Sequence, residues 1–233
     1  MPLARFKRIS TYAKIISMNF EEKKASFAQK YPALKDILNF LSFVGAVVLG
    51  TFILNSFVFR SYNVVGGSME NTLHSGERVI VNRFAVTMQH FLGKEYIPNR
   101  GDIIIFANGG NTGNKSCEAQ TGIADQYIVK RVIAFPGERV TVEDGVLTVY
   151  NDQHPEGFHP DDDTRKSDTD GPKSYTSGSV NTIVPDGELF VSGDNREGSN
   201  SLDSRSGLGT IPYCRVIGPA TLRIWPLNKI RTF

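Results

Sequence analysis

The 233-residue sequence predicts a mostly β domain, a coiled sheet or partly closed barrel, preceded by one transmembrane helix. Three observations carry that expectation. A run of 23 uncharged, largely apolar residues lies between Asp36 and Arg60. Beyond it, short stretches rich in Val, Ile and aromatic residues alternate with Gly, Pro and Asn-Asp clusters. No segment past residue 60 carries a strong helical period. The composition, 40% hydrophobic and 21% charged, excludes both a disordered chain and a multi-span membrane protein. Two cysteines are too few for a disulfide-dense scaffold, a four-cysteine zinc site or an iron–sulfur centre.

From the N-terminus, residues 1–36 form a basic segment. They hold eight Lys/Arg against three Asp/Glu, a balance of +5. Residues 37–59 follow as the span, ILNFLSFVGAVVLGTFILNSFVF, about 34 Å long as a helix at about 1.5 Å per residue. A soluble core helix rarely stays apolar on every face for so long, and a cleaved leader would be shorter and nearer the start. The basic flank predicts a cytoplasmic N-terminus by the positive-inside rule, with residues 60–233 on the outer face of the cell membrane. Residues 61–233 sum to −4, which disfavours a nucleic-acid partner. Cys117 and Cys214 would then meet an oxidising space, but nothing in the sequence brings them together, and unpaired thiols are expected.

Strands are expected at Arg78–Asn82, Asp102–Phe106, Tyr127–Phe135, Arg139–Glu143, Val146–Tyr150, Glu188–Ser192 and Arg215–Trp225. VTVEDGVLTVY reads as a hairpin closed at Asp144-Gly145, the dipeptide that a type I′ turn favours. Phe84, Met88, Phe91 and Leu92 recur at 3–4-residue spacing. They suit either a short helix packed on the core or an apolar edge resting on a bilayer. Two polar excursions, 108–125 and 152–179, interrupt the strands. The second carries Asp161, Asp162, Asp163, Asp168 and Asp170, off the spacing of a calcium loop, and is read as a solvated loop.

The chemistry-bearing residues fall into three clusters. Ser68 sits in a Gly-Gly-Ser turn whose glycines permit backbone shapes that expose a hydroxyl. A serine nucleophile needs a base. His74, His90, His154 and His159 stand at no metal-ligand spacing and beside no nucleophile, so a zinc hydrolase or Ser-His-Asp triad is poorly supported. Lys130 alternates with Ile128 and Val132 on an otherwise apolar strand face, where desolvation would lower its pKa and free a neutral amine. The third cluster, GDNREGSNSLDSR at 193–205, is polar and follows a strand.

In this order, after one membrane anchor, the three clusters resemble the type I signal peptidases. GGSMENTLHSGE is similar to that family's nucleophile box, YIVKRVIAFPGE to its lysine box and GDNREGSNSLDSR to its Gly-Asp-Asn-Arg…Ser-x-Asp-Ser-Arg box. Asn71 stands where the family pattern has Pro, Ala134 where it has Gly, and two extra residues separate Arg196 from Ser201. The resemblance covers about residues 37–233. It implies a coiled β-sheet catalytic domain with a smaller β insertion at about 137–186, and a membrane-bound serine endopeptidase that removes signal peptides from secretory preproteins. Ser68 would be the nucleophile and Lys130 the general base, with Ser201 orienting the lysine and Asp203 and Arg205 bracing its loop. Ser199 competes with Ser201, because it keeps the family's distance from Arg196. Backbone groups of Ser68 and Gly66 would meet the oxyanion. Tyr62, Val64, Met69, Ile128 and Val129 would contact a substrate with an Ala-x-Ala-like cleavage site. The expected partners are the preprotein and the lipid bilayer, with no nucleic acid, metal or cofactor, and the protein is expected to be a monomer. Ser68 lies nine residues past Phe59, so the tether reaches at most about 30 Å and keeps the site near the membrane surface. Two other readings are a self-cleaving repressor, which would need a DNA-binding domain in place of the span, and a catalytically silent scaffold for surface-protein assembly, which would usually lack the serine or the lysine.

Overall fold

A computed structural model of the chain describes residues 31–109, 117, 127–162 and 171–233. The first of two compact units ends at Leu54. Its helix α1, Pro32–Ile53, starts on Pro32, whose fixed φ and missing N–H suit the first helical turn. A π-helical turn, Leu54–Val58, continues it. Together they make 27 residues, within which an 18-residue stretch has a mean hydropathy of 2.3, none buried, long and apolar enough to cross a membrane.

The second unit, Asn55–Phe233, is mostly β and curls into a half-barrel. Its strands are β1 (Phe59–Asn63), β2 (Arg78–Asn82), β3 (Ile103–Ala107), β4 (Tyr127–Ala134), β5 (Arg139–Glu143), β6 (Val146–Asn151), β7 (His154–Phe158), β8 (Val180–Ile183), β9 (Glu188–Ser192), β10 (Ile211–Pro212), β11 (Val216–Trp225) and β12 (Arg231–Thr232). The larger sheet runs β1-β2-β11-β3-β4-β9-β10, with β12 on β11. A four-stranded sheet runs β7-β6-β5-β8. Every pairing is antiparallel.

Each expected strand is present to within two residues at its ends. The β5–β6 turn falls at Asp144-Gly145, both at positive φ (51° and 82°), as a type I′ hairpin requires. Three core clusters fill the unit. One, around Val64, Met69, Leu73, Val79, Val81 and Ile105, lies under the β1–β2 connection. A second joins β3, β4 and β9. The third, with Ile133, Val140, Val149 and Phe190, ties the two sheets together.

Several features depart from expectation. Phe59 begins β1 and does not end the apolar helix. Helix α2, Phe84–Phe91, forms at the 3–4-residue stripe, yet Val86 is its buried residue, and Phe84, Met88, Phe91 and Leu92 are all exposed. Cys117 and Cys214 form a disulfide across 97 residues of sequence, with Cα atoms 5.2 Å apart, which corrects the expectation of free thiols. The acidic excursion is not simply solvated. Asp161 is buried and paired with Arg196, whereas Asp163, Asp168 and Asp170 lie outside the described residues.

Candidate active site

Ser68 lies in the connection from β1 to β2. That loop is clipped at its base, where Val64 N–H donates to the Glu77 carbonyl (2.8 Å) and Gly76 N–H to the Val64 carbonyl (2.9 Å). Met69 and Leu73, 1% and 0% exposed, anchor it in the core, and Leu73 N–H donates back to the Met69 carbonyl at 2.8 Å. Burying these two apolar side chains on either side of polar neighbours turns Ser68 outward. Met69 is therefore a core anchor and not the substrate contact expected from sequence.

The loop after β9 holds the nucleophile from the opposite side. Asn195 donates its backbone N–H to the Ser68 carbonyl (3.0 Å) and its side-chain amide to the Gly67 carbonyl (2.9 Å). Gly193 is required here by space. A Cβ on it would stand 2.3 Å from the Ser68 carbonyl oxygen and 2.2 Å from Ser201 Oγ. The backbone N–H of Ser68 has no acceptor among the described residues, so it is available to a ligand. The N–H of Gly66, also expected to face an oxyanion, is turned to Ser75 Oγ at 3.4 Å.

Lys130 comes from β4, 3% exposed, and places Nζ 2.7 Å from Ser68 Oγ and 3.0 Å from the Val129 carbonyl. Burial in this apolar setting holds its pKa down to about 8, although the Asp203 and Asp194 carboxylates pull the other way. The neighbouring residue fixes the strand to the nucleophile loop. Arg131 makes a two-pronged ion pair with Asp194 (2.8 and 2.6 Å) and donates to the Gly101 carbonyl. Asp194 in turn accepts from the Thr72 hydroxyl. One buried carboxylate thus links the strand that carries Lys130 to the loop that carries Ser68.

Asp203 and Arg205 set the far side. Asp203 accepts from Gly193 N–H (2.9 Å) and from Arg205 at 3.0 and 2.9 Å, while Arg205 also reaches the Arg196 carbonyl (2.9 Å). Burial would raise the Asp203 pKa, but hydrogen bonds and charge from Arg205, with the Gly193 N–H, hold it below the usual carboxylate range. Ser201 is buried between these groups. Its Oγ reaches hydrogen-bonding geometry with no partner among the described residues, Lys130 included. Ser199 is exposed. None of the four histidines contacts Ser68 or Lys130 among the described residues.

The pair opens on a cleft of about 540 Å³, walled by Tyr62, Val64, Ile128 and Val129, with Asn200 and Leu202 at its rim. One wall is a sheet edge. Tyr127–Lys130 pair with β3 on one side, but pairing with β9 begins only at Arg131, so the other side of this half of β4 has no strand partner among the described residues. Sequence reading gave no roles to Asn195, Thr72, Arg131, Asn200 or Leu202. All five lie inside the three quoted boxes, but only Asn195 belongs to the Gly-Asp-Asn-Arg core of its motif. The others act through contacts between segments far apart in the chain.

A buried lysine touching a half-buried turn serine, beside a strand edge and an N–H that have no partners among the described residues, is the equipment of a peptide-bond hydrolase. Comparison with known proteins agrees. A family model described as signal peptidase, peptidase S26, matches residues 37–225. Signal peptidase I S of Bacillus subtilis (strain 168) is 31% identical over 197 residues, covering 84% of this chain and 94% of the relative. Signal peptidase I T of the same organism is 34% identical over 187 residues, covering 79% and 83%. Signal peptidase IB of Staphylococcus aureus (strain COL) is 29% identical over 210 residues, covering 84% and 94%. The chain belongs to the signal peptidase family, peptidase S26.

Proposed function

We propose that this enzyme cleaves signal peptides from secretory preproteins with Ser68 as nucleophile and Lys130 as general base. The observation that carries the proposal is the 2.7 Å approach of a 3%-exposed lysine to Ser68 Oγ. The neutral amine takes the Ser68 proton as Oγ attacks the scissile carbonyl carbon. The Ser68 N–H donates to the oxygen that gains charge. The resulting ammonium returns its proton to the leaving amine, and the C–N bond breaks to leave an ester on Ser68. Lys130 then deprotonates a water that attacks the ester carbonyl carbon, the C–Oγ bond breaks as the ammonium returns its proton to Ser68 Oγ, and the signal peptide leaves with a free carboxylate. Asn195 and Gly193 hold the loop so that hydroxyl and N–H face the same point.

The substrate binds as an added strand on the unpaired side of Tyr127–Lys130, which supplies main-chain partners whatever the sequence. Val64, Ile128 and Val129 make the adjoining pocket shallow, so small side chains such as those of an Ala-x-Ala site fit. The apolar stretch from Ile37 within the helix Pro32–Val58 anchors the enzyme in the cell membrane, with residues 1–36 cytoplasmic and the catalytic unit outside as a monomer. The Cys117–Cys214 disulfide supports an outer, oxidising location. Purified enzyme should cleave a preprotein at its signal-peptide junction, and Ser68→Ala should reduce the rate by about 10⁴-fold or more, as loss of a covalent nucleophile does. Undiminished cleavage by Ser68→Ala would remove the assignment.

A further inference from the structure

The cleft contains a polar atom that the mechanism does not use. Tyr62 Oη is buried and has no hydrogen-bond partner among the described residues. Its ring cannot easily swing to find one. It meets Tyr127 edge-to-face, with ring centroids 5.4 Å apart and planes at 69°. The Arg60 guanidinium lies over both rings, 5.5 Å from the Tyr62 centroid and 5.9 Å from that of Tyr127. Both tyrosines line the cleft that holds Ser68 and Lys130. Burial raises the Tyr62 pKa above its usual value of 10, against the opposing charge of Arg60, so the hydroxyl stays protonated at neutral pH.

The strand edge gives this hydroxyl an address along the substrate. Tyr127 precedes Lys130 by three residues, about 10 Å at about 3.4 Å per residue. In an extended substrate the side chains at −1 and −3 share a face and lie about 7 Å apart, while −2 points away. With the −1 carbonyl at Ser68 and the substrate extended along this edge, the −3 side chain would reach the part of the cleft that Tyr62 and Tyr127 line. An apolar −3 side chain seals the Tyr62 O–H away from water unpaired. A serine or threonine at −3 offers it an oxygen lone pair.

We propose that the Tyr62 hydroxyl is a specificity determinant of the cleft, selecting substrates whose −3 residue carries a hydroxyl over those with a methyl in its place. The proposal rests on the signal-peptidase reading of the cleft given above.

The test uses the full-length enzyme in detergent and four preproteins that differ only at −3, as the shape-matched pairs Ser/Ala and Thr/Val. The wild-type enzyme should favour the hydroxyl member of each pair by about 3- to 30-fold in kcat/KM, the size of effect expected from one net hydrogen bond. Tyr62→Phe, which removes one oxygen and keeps the ring, should bring both ratios to about 1. Its melting temperature without substrate should equal or exceed that of the wild type, because the deleted hydroxyl had no partner. Ratios near 1 in the wild-type enzyme, or ratios that Tyr62→Phe leaves unchanged, would overturn the inference while leaving the peptidase reading intact. A clear drop in melting temperature would also overturn it, since the hydroxyl would then already be satisfied in the free enzyme. If the wild-type enzyme cut none of the four, the parent reading would fall, and this inference with it.

Discussion

At the scale of the residue, the burial of Lys130 opposes folding and serves chemistry. Its pKa falls from 10.5 to about 8. That fall corresponds to about 3 kcal/mol. Between pH 8 and 10.5 the unfolded chain binds the proton that the folded chain releases, so stability rises with pH across that window, and the penalty is complete below it. Lys130→Met keeps the apolar stem and removes the ammonium. It should therefore raise the melting temperature at pH 7, lose that advantage by pH 10, and abolish cleavage. Thermal unfolding at the two pH values checks this. The lysine was legible in the sequence because it interrupts an apolar alternation on a strand. The pair Arg131–Asp194 was not, because its members lie 63 residues apart and nothing local marks them as partners.

At the scale of the element, the loop after β9 is fixed from two directions. Asp203 and Arg205 tie its C-terminal side to Gly193 and to the Arg196 carbonyl, and Arg196, 0% exposed, is held by Asp161. Between these anchors, residues 197–200 are exposed and absorb the two-residue insertion. Registration from Asp203 puts Ser201 inside the site. Ser201 Oγ has no partner among the described residues of the free enzyme, so an orienting bond to Lys130 would form only with substrate bound; with that bond, Ser201→Ala should lower kcat/KM by about 10- to 1,000-fold, and Ser199→Ala by no more than a few fold. Steady-state kinetics on one preprotein distinguishes them, and the reverse order would mean that the loop registers from Asp194. Strand legibility followed apolar content. β4, β5, β6 and β9 stand out as Val/Ile/aromatic runs. β7, with sequence HPEGF, has neither alternation nor apolar content and exists by pairing with β6 at the sheet's edge. β1 was hidden because Phe59 extends the apolar run of the helix before it.

At the scale of the whole molecule, the sequence announced an apolar helix followed by a β unit, and family resemblance joined three distant boxes into one site. What no local pattern could announce was the long-range covalent link. Cys117–Cys214 closes a loop of 97 residues, for which chain entropy predicts about 4 to 5 kcal/mol of stabilisation. Cys214→Ser should therefore lower the urea midpoint of the catalytic unit, and reductant should do the same to the wild-type protein but not to the variant. A midpoint unchanged by both would show that the link does not restrain the unfolded chain. Catalysis turns on a neutral Lys130 as base. The pH dependence of kcat/KM on a preprotein tests that claim most directly. Because the base works deprotonated, the rate should climb about tenfold per pH unit below neutrality and level off above a single pKa near 8. A profile already flat between pH 5 and 9, with its rising limb near pH 4, would contradict it and point to a carboxylate instead.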